Sequence, residues 1–198
     1  MLLRALRPYL VHPAVTSVVA VLPPGAAAAP PEWLLAIKPE RLRLVAGGPE
    51  RVDSVERGVA ALGDHVGLVI VHDGARPFVD AAVIDAVISA SRAADGAVAA
   101  VPVSDTIKRA ADGEPATVAA TVPRAGLWRA QTPQAFPIEW LRRGLAHARA
   151  TGVAPTDDSA MVEAIGGRVV LVPDRGSNIK VTTPDDFRLA EAIARMAG

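Results

Sequence analysis

The sequence contains no cysteine. A disulfide scaffold, a thiolate-ligated zinc or iron–sulfur site and a cysteine nucleophile are therefore excluded. It also lacks an excess of charge of either sign, with 21 Lys and Arg against 21 Asp and Glu. Bulk charge does not hold such a chain to nucleic acid or to an anionic membrane, so neither is expected as a partner. No apolar run reaches the roughly 18 residues that a spanning helix needs. The apolar start, Met1 to Val11, is broken by Arg4, Arg7 and Pro8 and lacks the order of a signal peptide. A cytoplasmic location is the expectation. There is no Gly-x-Ser-x-Gly elbow and no His-x-x-x-His pair, which leaves a nucleophilic hydrolase or a zinc enzyme without support. Aromatic residues make up only 4%, so aliphatic side chains must build the core.

What is present suits one α/β domain. The chain has 198 residues, 51% of them hydrophobic, and no composition shift marks a second domain over 1–198. Apolar runs at Thr16–Leu22, Leu68–Val71 and Ala97–Val103 and the polar–apolar alternation of Arg41–Ala46 read as strands. Helical spacing occupies Glu50–Leu62, Ala81–Ala94, Ile138–Ala150, Asp158–Ile165 and Pro184–Ala197, while Ala26–Pro31 reads as a loop. Pro8 predicts a kink or a late start in the first helical run. Arg168–Val172 and Ile179–Val181 read as late strands. Strand–helix alternation with unbroken apolar strands predicts a mostly parallel sheet with helices on both faces. The polar stretch from Ser104 to Thr121, with Asp112-Gly113 as its turn, predicts a hairpin standing off that core.

In open α/β sheets ligands bind beyond the carboxyl ends of the strands. Four polar, glycine-containing or cationic segments follow strands: Gly47-Gly48-Pro49-Glu50-Arg51-Val52-Asp53-Ser54, His72-Asp73-Gly74-Ala75-Arg76-Pro77, Ser104-Asp105-Thr106-Ile107-Lys108 and Ser177-Asn178-Ile179-Lys180. Asp73, directly after a buried strand, is placed to hold a hydrated Mg²⁺ that bridges phosphates. Gly74 lets a ligand approach the backbone, and Arg76 either neutralises phosphate or pairs with Asp73. Lys180 is a point charge suited to phosphate. Thr156-Asp157-Asp158-Ser159 has the form of a helix cap. Its adjacent carboxylates diverge by about 100° on a helix and do not make an acid/base dyad.

Together with Gly126-Leu127-Trp128-Arg129-Ala130-Gln131-Thr132-Pro133-Gln134 and Asn178-Ile179-Lys180-Val181-Thr182, these motifs resemble, in order and spacing, the 2-C-methyl-D-erythritol 4-phosphate cytidylyltransferase family. A related family, the ribitol 5-phosphate cytidylyltransferases, shares much of the pattern. The resemblance implies a Rossmann-like sheet with a protruding β-hairpin arm. It implies a reaction in which the polyol phosphate attacks the α-phosphorus of CTP and pyrophosphate leaves. By the same resemblance Gly48, Ser54, Asp73, Gly74 and Arg76 contact CTP, with Asp73 near Mg²⁺. Arg124 and Lys180 are the catalytic cations that hold the polyol phosphate for attack, helped by Thr106, Thr132, Thr156 and Asp157. The arm, residues 104–123, embraces a second subunit, so that Arg124 and Thr106 serve the partner's site in a homodimer. The family opens with a strand and a glycine-rich loop, Ala-Ala-Gly-x-Gly-x-Arg followed by Pro-Lys, that wraps the triphosphate. Met1–Pro13 matches the helix that follows that loop, and little turnover is expected of the 198 residues without it. A sugar-phosphate-binding homologue without CTP chemistry is the competing expectation.

Overall fold

Helix α1 (Leu2–Val11) places Ala5, Leu6, Tyr9 and Leu10 on one buried stripe. That stripe holds the helix through Pro8, so the helix starts at Leu2 rather than after the proline. The carbonyl that loses its donor belongs to solvent-exposed Arg4, where water can replace the bond. The computed structural model describes residues 1–37 and 40–196. Strand β1 (Val18–Leu22) pairs in parallel with β2 (Leu42–Ala46), in register from Val18↔Leu42 to Leu22↔Ala46. Between them the expected loop is shorter, at 29–31, because α2 (Pro24–Ala28) takes its first residues; α3 (Glu32–Leu35) follows it. Proline at the first position and the alanines behind it favour the helical turn over coil.

Helix α4 (Arg51–Ala60) leads to β3 (Leu68–Val71), and α5 (Ala81–Ser91) leads to β4 (Gly96–Pro102). The chain then leaves the core as the hairpin β5 (Ile107–Ala110) and β6 (Val118–Val122), an exposed antiparallel ribbon with Gly113 at φ +119° in its turn. It returns as β7 (Trp128–Pro137), a ten-residue strand. Helices α6 (Ile138–Thr151) and α7 (Asp158–Glu163), strand β8 (Val169–Pro173) and helix α8 (Pro184–Met196) complete the chain. The expected last residue of α8, Ala197, lies outside the described residues.

The central sheet has the order β3-β7-β4-β8. Its β4–β8 pair is parallel, and β7 runs antiparallel to both β3 and β4. The Gln131–Gln134 motif therefore sits on a central strand that periodicity does not reveal. Ile179–Val181 forms no strand ladder; its backbone contact is Val181 N–H donating to the Ala75 carbonyl at 2.8 Å. Helices cover both faces. Val83, Ile84, Val87 and Ile88 of α5, with Tyr9, pack on Ala97, Ala99 and Ala135. On the other face Leu141, Leu145, Met161 and Val162 pack around Phe136. β1 and β3, with α1 and α4, line an apolar cavity of about 570 Å³ that becomes polar at Arg51, Ser54 and Asp73. Among the described residues no helix is long and apolar enough to cross a membrane.

Gly144 marks a close approach of α6 to α7. A Cβ there would lie 2.9 Å from the Met161 carbonyl oxygen and 3.0 Å from its carbon, both backbone atoms that cannot move aside cheaply. Gly144→Val is expected to lower stability by about 1–3 kcal/mol through overpacking of α6 on α7. Urea denaturation checks this, the midpoint falling at unchanged slope.

Candidate active site

The site starts at the carboxyl end of β3, where Asp73 receives cations from three parts of the chain. Its Oδ1 accepts from Arg51 Nη1 at 2.8 Å, its Oδ2 pairs with Lys180 Nζ at 3.0 Å, and Arg76 Nε lies 3.7 Å away. Arg51 is the first residue of α4. The turn before it is set by Asp53, whose carboxylate accepts from Glu50 N–H at 2.8 Å. The second arm of the Arg51 guanidinium reaches Asp158 Oδ2 at 2.5 Å. Asp158 opens α7 and is fully buried, so this one arginine joins α4, the β3 end and α7.

Lys180 is placed by Asn178, which is 1% exposed. The Asn178 amide donates to the Thr132 carbonyl at 2.9 Å and to Asp174 Oδ2 at 2.6 Å. The Asn178 carbonyl accepts from Arg76 Nη1 at 2.8 Å and Gln131 Nε2 at 3.0 Å. The loop after β8 is thus fastened to β7 and to the Arg76 loop, and Lys180 projects half-exposed beside Asp73.

β7 supplies the floor. Its register with β4 runs Ala97↔Ala135 and Val98↔Gln134, then resumes at Ala100↔Ala130. Gln131, Thr132 and Pro133 bulge out of the ladder, which is where a proline without an N–H can be accommodated in a central strand. Thr132 Oγ1 accepts from Asp73 N–H at 3.0 Å. Gln134 donates to Asp157 Oδ2 at 2.9 Å and accepts from Ser159 N–H at 2.9 Å, fixing the start of α7. Asp157 caps that helix through Ala160 N–H at 2.9 Å. Arg51, Asp73, Arg76, Thr132, Asp157 and Lys180 line one pocket of about 250 Å³, and Thr156 stands at its wall.

The other expected residues lie outside that pocket. Gly48 N–H donates to Ser54 Oγ at 3.2 Å, and a Cβ on Gly48 would overlap the Asp53 side chain at 2.1 Å. This pair shapes the loop before α4, and Ser54 and Gly74 line the adjoining larger cavity beside Asp73. Thr106 and Arg124 are exposed at the base of the arm, in neither cavity. The Arg124 guanidinium donates to the Ser104 carbonyl, tying the two ends of the hairpin.

Along its length the chain matches the 2-C-methyl-D-erythritol 4-phosphate cytidylyltransferase family over residues 1–196. It belongs to this family. A cytidylyltransferase so named from Bacillus licheniformis is 45% identical over 77% of this chain and 64% of its own length. One from Ralstonia nicotianae is 43% identical over 98% of this chain and 79% of its own. The crystal structure of the Thermus thermophilus cytidylyltransferase superposes with a TM-score of 0.84 at 36% identity, covering 98% of this chain and 89% of that one. The match spans 64% and 62% of the lengths of the Bacillus licheniformis and Salinibacter ruber relatives.

Electrostatics in this cytidylyltransferase-family pocket follow from burial and pairing. Burial raises the Asp73 carboxyl, but Arg51 and Lys180 together outweigh it and hold it below the usual carboxylate range. Burial pushes Asp158 up against the opposing pull of Arg51. Burial lowers Arg76, with Asp73 and Asp174 opposing. Arg51 lies within the Gly47–Ser54 motif, yet nothing in that motif marks it for a site role. Its charge is balanced by residues 22 and 107 positions away, a pairing that no local pattern shows. Asn178 and Gln134 escape sequence reasoning for the same reason.

His72 packs against the Tyr9 ring at 5.1 Å, and burial lowers it to about 4. The unfolded chain takes up this proton first, near its ordinary value of about 6.5, so stability falls as pH drops from there toward the folded value. Between pH 7 and pH 5 His72 is expected to remove about 2 kcal/mol of stability. Urea denaturation of wild type and His72→Gln at both pH values checks this. The variant should show a smaller difference, and equal differences would remove His72 as the cause.

Proposed function

We propose that the chain serves the reaction of its family, joining CTP to 2-C-methyl-D-erythritol 4-phosphate with release of pyrophosphate, in a form that also carries the glycine-rich triphosphate loop. The observation that carries this reading is the convergence of Arg51, Arg76 and Lys180 on Asp73 in one strand-end pocket. A phosphate oxygen of the polyol phosphate forms the new bond to the α-phosphorus of CTP, and the bond from that phosphorus to the β-phosphate oxygen breaks. The chemistry needs two polyanions brought together and charge stabilised in flight, which fixed cations supply without a nucleophile. Lys180, half-exposed at the rim, is placed to meet an incoming phosphate, while Arg51 and Arg76 neutralise charge from below. In this reading Ser54, Gly48 and Gly74 border the nucleotide, and Thr156 and Asp157 border the polyol.

Among the described residues no three His, Cys, Asp or Glu side chains converge as metal ligands. Asp73 is a single carboxylate facing the phosphate pocket. That donor set fits a Mg²⁺ arriving on the triphosphate, held by one carboxylate and by phosphate oxygens. Bound there, the cation would neutralise triphosphate charge and favour departure of pyrophosphate. In this reading the reaction takes place in the cytoplasm, on water-soluble phosphates.

In a full-length form that carries the glycine-rich loop, Lys180→Ala is expected to lower pyrophosphate release from CTP and methylerythritol phosphate at least about a hundredfold, the scale of losing one charge-stabilising donor. Its melting temperature should be little changed. Calorimetry with each substrate, and ribitol 5-phosphate as the competing alcohol phosphate, completes the test. Turnover equal to wild type, or preference for ribitol phosphate, contradicts the assignment.

Arg124 and Thr106 complete the site across a homodimer in this reading. Mixing inactive Arg124→Ala with inactive Lys180→Ala chains should then restore about a quarter of wild-type activity, because half the dimers are mixed and each carries one intact site. No recovery after mixing and re-equilibration would place Arg124 outside the partner's site.

A further inference from the structure

The Gly47-Gly48 turn between β2 and α4 is held by side chains that lie outside it. Neither glycine has room for a side chain. A Cβ on Gly47 would lie 2.8 Å from Ser54 Oγ and 3.3 Å from the Leu22 carbonyl oxygen, and one on Gly48 would overlap Asp53. The fit demands glycine, and glycine leaves a backbone loose unless other groups restrain it. Gly47 N–H donates to the Leu22 carbonyl at 2.7 Å, and Gly48 N–H donates to Ser54 Oγ at 3.2 Å. The carbonyl of buried Gly47 accepts from Arg57 Nη1 at 2.7 Å, and the same nitrogen lies 3.4 Å from the Ala46 carbonyl oxygen. A buried carbonyl left without a partner is costly, so this donor has a clear physical task. Arg57 is itself exposed, in the last turn of α4. Side chains on a helix lean toward its N-terminus, which carries the Arg57 head back to the turn. Among the described residues Arg57 forms no salt bridge. Its hydrogen bonds go to the turn and the strand end before it.

We propose that Arg57 is a positioning residue for the nucleotide, acting through the Gly47-Gly48 turn whose backbone it fixes. Gly48 and Ser54 border the nucleotide in the cytidylyltransferase reading, and the inference deepens that reading and rests on it. With Arg57 in place the Gly47–Gly48 peptide is held on both sides, its carbonyl by the guanidinium and its N–H by Ser54. Without it the carbonyl side is free to rotate, and part of the order must be restored when the nucleotide binds. Arg43 supplies a matched comparison. It lies on β2 and donates from Nη1 to the Ala61 carbonyl at 2.8 Å, at the opposite end of α4. Both arginines tie β2 to α4 through a backbone carbonyl, and of these two bonds the one from Arg57 ends on the turn.

Methionine keeps much of the arginine stem and removes its donors, so it separates the hydrogen bond from packing. In a full-length form that carries the glycine-rich loop, Arg57→Met is expected to raise the KM for CTP about five- to tenfold, the scale of one charge-assisted hydrogen bond. The kcat and the KM for methylerythritol phosphate should stay within about twofold of wild type, because the lost bond orders the nucleotide side alone. Arg57→Lys keeps a cationic donor and should bring the KM for CTP back to within about threefold. Arg43→Met loses the same kind of bond away from the turn and should leave both KM values within about twofold. Nitrogen-15 NMR of the 198-residue chain reads the turn directly. The Gly48 amide, whose peptide carries the Gly47 carbonyl, should shift in Arg57→Met, return toward wild type in Arg57→Lys and stay in place in Arg43→Met. A wild-type KM for CTP in Arg57→Met, an equal rise in Arg43→Met, no recovery in Arg57→Lys or an unmoved Gly48 resonance overturns the proposal. A wild-type form with the loop that does not turn over CTP refutes the functional reading instead, and the Gly48 resonance still decides whether Arg57 holds the turn.

Discussion

The ion cluster at Asp73 is the constraint on which the rest of the site depends. A carboxylate with so little exposure persists in its charged form only if cations reach it, and Arg51 and Lys180 supply them. Arg51 has the larger architectural effect. Its two-armed contact to Asp73 and buried Asp158 fastens three elements whose sequence positions are far apart. A planar guanidinium can make that double contact, and a lysine could not. The cost of burying Asp158 is thus offset by an interaction that also orients the pocket.

The strand β7 turns this cluster into a site. Its outer parts pair with β3 and β4 as an ordinary ladder, but its middle is released by the bulge at Gln131–Pro133. A regular strand would point alternate side chains to opposite faces. The bulge lets Gln131, Thr132 and Gln134 serve the same end of the sheet, one toward the Lys180 loop, one toward Asp73 and one toward α7. Buried polar groups are costly unless satisfied; Thr132 and Gln134 are paired, while Gln131 Oε1 and Asn178 Oδ1 have no partner among the described residues. The pairs that are made hold the pocket's walls in place before any ligand arrives, which the proposed phosphate chemistry would use.

The arm stands in contrast. β5 and β6 pair only with each other among the described residues, and their side chains are almost all exposed, Val118 at 64%. A two-stranded ribbon without a packed face has little stability of its own in water. Arg124 closes its base on the Ser104 carbonyl. Thr106 and Arg124 at its base are exposed and line neither cavity of their own chain.

The residues by themselves determined much. Apolar runs located β1, β3, β4 and β8 within a residue or two, and polar–apolar alternation located β2, because strands that bury one or both faces carry that period. Thr183 and Asp186 announced the start of α8 by a local exchange of hydrogen bonds, which needs no tertiary partner. Gly48, Asp73, Arg76 and Lys180 were legible as candidates because each follows a strand. Tertiary structure decided the rest. β7 was hidden because its polar bulge and Pro133 break the two-residue period. The helix through Pro8 depends on the buried stripe beneath it, and the extended run Ile179–Val181 forms no ladder. The partners of Arg51, Asn178 and Thr132 are set by elements that meet only after folding. Strand and turn chemistry is local and can be read from spacing. Which charge pairs with which follows from three-dimensional proximity alone.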